Sequence, residues 1–229
     1  MDNKKLQGTD RLFLNAVEKV YINNFEVDGT RAGNSNAKVL FDCAEFVVTN
    51  SVIKDGCTAY NVFEQKGTVA YPLSKVKVEN LTCDDVSLKH NAFSVYNFAD
   101  DATVTISDST FNLNVNNSNI IRLANYKNAK NVTVHFKNVN WNYESSPADA
   151  DWAWAGLVIF QPAGADTALN GDLDNLKTWK FIFESCKYNG KKVTSNNFGG
   201  KNQVFYLYNI NKTGEITDPV EAGLNVEFK

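Results

Sequence analysis

"NVTVHFKNVNW" (Asn131–Trp141) alternates apolar and polar residues, reaches an asparagine at Asn138, and sets a large apolar residue three positions later. Strict alternation over this length is the mark of a strand with one buried face. The same phrase recurs along the chain: "VYINNFEV" (Val20–Val27), "FVVTNSVI" (Phe46–Ile53), "VKVENLTC" (Val76–Cys83), "VTISDSTF" (Val104–Phe111), "VHFKNVNW" (Val134–Trp141) and "FIFESCKY" (Phe181–Tyr188).

Four positions of this phrase can be followed down the chain. The first is Val20, Phe46, Val76, Val104, Val134, Phe181, and two residues on stand Ile22, Val48, Val78, Ile106, Phe136, Phe183. Next comes a polar position, Asn24, Asn50, Asn80, Asp108, Asn138, Ser185, followed by Val27, Ile53, Cys83, Phe111, Trp141, Tyr188. The polar position advances 24→50→80→108→138→185, steps of 26, 30, 28, 30 and 47 residues. Self-similarity at such a period is the signature of a solenoid.

A second phrase lies between these: "RLFLN" (Arg11–Asn15), "KVLFD" (Lys38–Asp42), "YNVFE" (Tyr60–Glu64), "FSVYN" (Phe93–Asn97), "IIRLAN" (Ile120–Asn125), "GLVIFQ" (Gly156–Gln161) and "VFYLYN" (Val204–Asn209). Each unit therefore holds two or three short strands joined by Gly-, Asn- and Asp-rich turns such as "DGT" (Asp28–Thr30) and "NGK" (Asn189–Lys191). The fold expected is all-β: a right-handed single-stranded parallel β-helix of about six to seven rungs in one domain over residues 1–229. Stacked rungs would turn the inward positions into files of like residues. Asn24, Asn50, Asn80, Asp108 and Asn138 would form a polar ladder at a turn. An antiparallel sandwich or jelly roll is the competing arrangement, but it has no reason to repeat one side-chain class at one offset.

Residues 1–19 are expected to form an N-terminal cap and the first strand, with "TDRLFLNAVEKV" (Thr9–Val20) also fitting a capped amphipathic helix over the first rung as an alternative to the strand phrase Arg11–Asn15. Residues 142–178 form a rung with looped-out insertions, and 210–229 a C-terminal cap. Within that cap "GLNVEFK" (Gly223–Lys229) should pair with the last rung or a partner.

A net charge of −3 offers no footprint for nucleic acid, and the longest apolar run, "WAGLVIF" (Trp154–Phe160), is too short to span a bilayer. "MDNKKLQGTD" lacks the apolar stretch of a secretory leader, so the protein either works without that export route or begins after a removed leader. Cys43, Cys57, Cys83 and Cys186 show no CxxC pair and read as buried free thiols.

Catalytic candidates are few. Asp84–Asp85 and Asp100–Asp101 read as solvated carboxylates in turns. Asp166, Asp172 and Asp174 match no known coordination order, and His90 and His135 lack a nucleophile at a suggestive offset. Arg122 stands out inside an apolar phrase and reads as an outward strand residue before a lyase-type arginine. No cofactor or metal is expected. Trp152 and Trp154 alternate with alanine beside Asp149 and Asp151, a combination suited to a sugar face or a protein hot spot, whereas Trp141 and Trp179 read as core.

The runs "NAFSVYNFADDATVTISDSTFNL" (Asn91–Leu113), "NIIRLANYKNAKNVTVHFKNVNWNY" (Asn119–Tyr143), "WAGLVIFQP" (Trp154–Pro162) and "QVFYLYN" (Gln203–Asn209) resemble β-helix domains in virion proteins of tailed bacteriophages. They are also similar to pectate-lyase-like repeat proteins of Bacteroidetes. The phage resemblance implies a non-enzymatic capsid-decorating, head-fibre or tail protein, located in the virion after assembly in the host cytoplasm. Its implied partners are other virion proteins and further copies of itself, trimers being common for attachments of this shape. The alternative is a bacterial cell-surface protein that binds carbohydrate or resembles a polysaccharide lyase. Neither reading implies nucleic-acid binding or membrane insertion.

Overall fold

A computed structural model describes residues 5–7, 12–28, 39–54, 61–66, 70–86, 91–95, 97–113, 121–124, 129–143, 158–161, 173–199, 204–208 and 216–229. The first strands are β1 (Lys5–Gln7), β2 (Leu12–Asn23), β3 (Glu26–Asp28), β4 (Val39–Lys54), β5 (Asn61–Gln65) and β6 (Leu73–Val86). Then follow β7 (Asn91–Val95), β8 (Phe98–Ser107), β9 (Thr110–Leu113), β10 (Ile121–Ala124), β11 (Thr133–Lys137) and β12 (Asn140–Tyr143). The last are β13 (Val158–Gln161), the single-turn helix α1 (Leu173–Leu176), β14 (Lys180–Glu184), β15 (Lys187–Tyr188), β16 (Lys191–Lys192), β17 (Phe205–Tyr208), β18 (Ile216–Thr217) and β19 (Asn225–Phe228).

Pairing is parallel throughout the described strands, apart from the short β15–β16 and β17–β18 reversals. The chain is thus an all-β, solenoid-like coil of parallel sheet, and the sandwich is ruled out. The strands stack on three faces. The first runs from the start of β2 through β4, β5, β7, β10 and β13 to β17. The middle face runs from the end of β2 through β4, β6, β8, β11 and β14 to β19. The third runs from β1 and β3 through the ends of β4 and β6 to β9, β12 and β15.

The files read from the sequence are register partners. Val20, Phe46, Val76, Val104, Val134 and Phe181 lie side by side in successive strands, as do Ile22, Val48, Val78, Ile106, Phe136 and Phe183. All twelve are buried. Adjacent parallel strands sit about 4.8 Å apart, so like aromatics in one file must stack. Phe63 and Phe93 do so at 5.0 Å between ring centres, and Phe136 and Phe183 also at 5.0 Å. Trp141, in the next file, meets Phe136 edge-on at 5.5 Å, and Trp179 is equally buried, its indole N–H donating to Ala129 O at 2.8 Å.

The polar file has a backbone cause. Asn24, Asn50, Asn80, Asp108, Asn138 and Ser185 all hold left-handed conformations, with φ between 48° and 54°. That region costs most L-residues about 1–2 kcal/mol and is tolerated by Asn and Asp, whose short polar side chains bond locally. These residues make the corner between the middle and third faces. Their amides knit neighbouring turns together: Asn80 Nδ2 donates to Asn50 Oδ1 at 2.8 Å, and Asn138 Nδ2 to Asp108 Oδ1 at 2.9 Å. The Asn50 amide reaches Asn23 Oδ1 at 2.9 Å, one residue before the partner expected of it.

One residue after each corner, a further file alternates large apolar with small polar residues: Phe25, Ser51, Leu81, Ser109, Val139, Cys186. Ser51 Oγ donates to Thr49 O at 2.8 Å and accepts Phe25 N–H at 3.2 Å. Ser109 repeats this with Ser107 O at 2.7 Å and Leu81 N–H at 3.1 Å. Cys186 stands in the same place, its thiol reaching Phe136 O at 3.4 Å and Glu184 O at 3.5 Å, with the backbone of Val139 as a further partner. Buried backbone N–H groups that the ladder leaves over are satisfied in this way.

Leu12–Val20 is strand, in line with the phrase Arg11–Asn15, and the helical alternative falls; Thr9–Arg11 lie outside the described residues. Leu12, Phe13 and Leu14 pair in register with Val39, Leu40 and Phe41, and tertiary ladder formation overrides a helical spacing. Asp84 and Asp100–Asp101 lie within strands β6 and β8, not in turns. Nor are these carboxylates merely solvated: Asn112 Nδ2 donates to Asp84, Lys130 N–H to Asp100, and Asn131 Nδ2 to Asp101, which has φ 59°. The segment Gly223–Lys229 pairs with the coil as expected, β19 lying parallel to β14.

Candidate docking surface

Because inward positions are apolar files, the alternate residues of the middle face form an outer wall. Their charges are arranged in neighbouring opposite pairs. Lys19 faces Glu45 at 3.2 Å in the adjacent strand, and Lys77 meets Glu79 at 2.7 Å along β6. Glu184 sits between two nitrogen groups, His135 Nε2 at 3.0 Å and the Lys137 ammonium at 3.2 Å. Glu227 is held likewise by Lys180 at 2.7 Å and Lys229 at 3.3 Å.

Lys137, first by its hydrogen bond and then by its charge, holds the Glu184 carboxyl below its ordinary range, with His135 adding to the effect and partial desolvation opposing it. Glu227 is lowered in the same way, chiefly by Lys180 and then by Lys229. Each exposed pair alone contributes little to stability. Their recurrence along one face sets long side chains into a polar wall.

The described aromatics exposed on the coil lie at its N-terminal part. Phe13 is 52% exposed and Tyr21 46%, with Tyr71 and Val17 also open to solvent. The Tyr21 hydroxyl accepts Thr49 Oγ1 at 3.4 Å. An amphipathic ring on a flat strand surface is suited to protein contact.

The nucleophiles of the described core are held inert. Burial pushes the Cys43 thiol up to about 12 and the Cys186 thiol up to about 11. Cys43, Cys83 and Cys186 are buried and free, whereas Cys57 lies outside the described residues.

The sequence-derived binding residues Asp149, Asp151, Trp152 and Trp154 lie outside the described residues, as do His90, Asp166 and Asp172. Asp174 is exposed and pairs with Lys177 at 3.3 Å. His135 lies on the outer face as expected, and Arg122 lies on the face opposite the buried Ile121 and Leu123, beside Ser94 and Ile159 in register. Among the described residues, no group of three or more His, Cys, Asp or Glu is placed to hold a metal ion. No described helix is long and apolar enough to cross a membrane.

Two polar arrangements escaped the sequence reading. Gln65 and Asn97, both buried, exchange bonds: Gln65 Nε2 donates to Asn97 O at 3.1 Å and Asn97 N–H to Gln65 Oε1 at 2.8 Å. The buried Asp42 carboxylate accepts the N–H groups of Ala70 and Tyr71 at 3.1 and 3.3 Å, tying down the approach to β6. Asp42 and Asn97 each close a second phrase, whereas Gln65 lies one residue past Tyr60–Glu64 and carried no signal. No family model, no curated protein and no solved structure matches the chain.

Proposed function

We propose that the chain is a non-enzymatic structural protein of a tailed-bacteriophage virion, a right-handed parallel β-helix of about six to seven rungs. In this reading it decorates the particle as a capsid, head-fibre or tail component, assembles in the host cytoplasm, and docks with other virion proteins and further copies of itself. The observation that carries the reading is the unbroken register from Val20 to Val226 along the middle face. A continuous ladder of this kind leaves few places to open locally, which suits a rod exposed to proteases and mechanical load. The outer wall supports the same reading, because its carboxylates and ammonium groups are engaged with one another. The phrases that resemble phage β-helix domains supply the particle.

Purified particles of a phage that encodes the chain provide the test. Mass spectrometry is expected to find the protein at fixed stoichiometry, and image reconstruction to place a rod at the capsid or tail surface. Absence from the particle would remove the virion assignment. Release of unsaturated products from acidic polysaccharides by the purified protein would end the non-enzymatic one.

A further inference from the structure

The three faces finish differently at the C-terminal end of the coil. On the first, β18 runs back antiparallel along β17, pairing Leu207 with Thr217 and Tyr208 with Ile216. On the third, β16 folds back on β15 through Asn189 and Gly190, both with positive φ. That leaves the exposed Lys191 and Lys192 along its edge, a placement that discourages further strand addition. The middle face has neither device: among the described residues β19 pairs with β14 alone.

The free edge can be read from the hydrogen bonds. Lys229 N–H donates to Phe183 O at 2.9 Å and Ser185 N–H to Lys229 O at 3.0 Å, so Lys229 directs both its backbone groups at β14. Backbone groups alternate sides with period two along a strand, so Val226 and Phe228 direct theirs away from β14. Their side chains continue two interior files in which the other members are buried, yet both are only half-buried.

We propose that a second copy of the chain docks at this edge, β19 pairing antiparallel with the partner's β19 about a two-fold axis at Phe228. In that register Phe228 exchanges both backbone bonds with the partner's Phe228. Glu227 then stands opposite the partner's Lys229, and Lys229 opposite the partner's Glu227. Opposite charges directly across a strand pair are favourable, whereas a shift setting Glu227 against the partner's Glu227 is not. A two-fold contact is self-complementary and closes at two copies, which covers the β19 edge. The inference rests for its purpose on the docking role proposed above, and it replaces the trimer with a dimer.

Sedimentation velocity over a concentration series tests it independently of any virion. The unaltered chain is expected to sediment as two copies, less so at high salt. Lys229→Glu, at an exposed side chain, sets like charges across the contact twice and is expected to weaken association by about tenfold. Glu227→Lys is expected to do the same alone, and an equal mixture of the two variants to restore the two-copy species. Phe228→Pro removes an N–H that β14 does not use and that the contact requires, a placement tolerated on an edge strand, and should give a folded monomer. A chain monomeric at every concentration, a trimer, or a dimer indifferent to Lys229→Glu would overturn the proposal. Any of these results would leave the presence or absence of the protein on particles to be decided by the separate particle measurement.

Discussion

Asn138 and Asp108 occupy one corner of successive turns, both in the left-handed region (φ 51° and 50°), and the Asn138 amide donates to the Asp108 carboxylate at 2.9 Å. One pair of side chains thus does two jobs, permitting a backbone conformation and linking the layers that share it. The two jobs are separable by substitution. Asn138→Ala is expected to lose both, about 1–2 kcal/mol for the conformation and about 0.5–1.5 kcal/mol for the bond. Asn138→Gly loses only the bond and should fall between Ala and the unaltered chain. Denaturant unfolding midpoints give the order, and an Ala variant as stable as Gly would remove the backbone argument.

Cys186 works as Ser51 and Ser109 do, one residue past its corner. Cys186→Ser is therefore expected to be tolerated. Cys186→Val leaves the Val139 backbone without its partner and should cost about 1–3 kcal/mol. The thiol also brings a pH dependence. Its folded value is pushed above the ordinary 9.0 to about 11, so its stabilising share is complete below pH 9 and is lost as pH rises towards 11. Cys186→Ser should flatten that part of the alkaline unfolding curve. An unchanged curve would show that the thiol does not titrate there.

Glu184 and Glu227 have the opposite sign. Each carboxyl is lowered from the ordinary 4.5 by its cations, so each stabilises the fold above that value and ceases to do so as pH falls below it. Thermal unfolding followed from pH 6 downward should show an acid limb. It should be shallower in Glu184→Gln and shallower still in the variant that also carries Glu227→Gln. Added salt should reduce the difference between the variants and the unaltered chain, because the pairs are exposed.

Gly199 tolerates no side chain for a steric reason. A Cβ there would come within 2.9 Å of Pro219 Cδ and would also meet the Asp218 carboxylate. That carboxylate cannot swing aside freely, since it accepts Val220 N–H at 2.7 Å and Glu221 N–H at 3.0 Å. Gly199→Ala is expected to destabilise by about 1–3 kcal/mol, with an unchanged denaturant slope. A neutral result would mean that residues 218–224 shift readily.

The parts of the fold legible in the sequence were those repeated often enough to average out local ambiguity. Val20, Ile22 and their counterparts announce a buried face because the same offsets recur in six phrases. Leu12–Val20 stayed open between two readings because a single copy of an apolar phrase fits a helix as readily as a strand, and only its pairing with Val39–Phe41 decides. Asp84 and Asp100 were misread because Asp and Asn favour both turns and ladders. The alternating file of Ser51, Ser109 and Cys186 was open to the same column reading. Its meaning depends on which backbone N–H groups the neighbouring turn leaves unpaired, and that is a property of two layers together.

Composition and periodicity by themselves determined that this chain coils, which residues line the coil, and where it must bend, because side-chain alternation and left-handed tolerance are properties of single residues and their spacing. The tertiary structure alone decided which outer charges neutralise one another and, among the described residues, how each of the three faces finishes. Those outcomes depend on register between strands far apart in sequence and on how each face is closed.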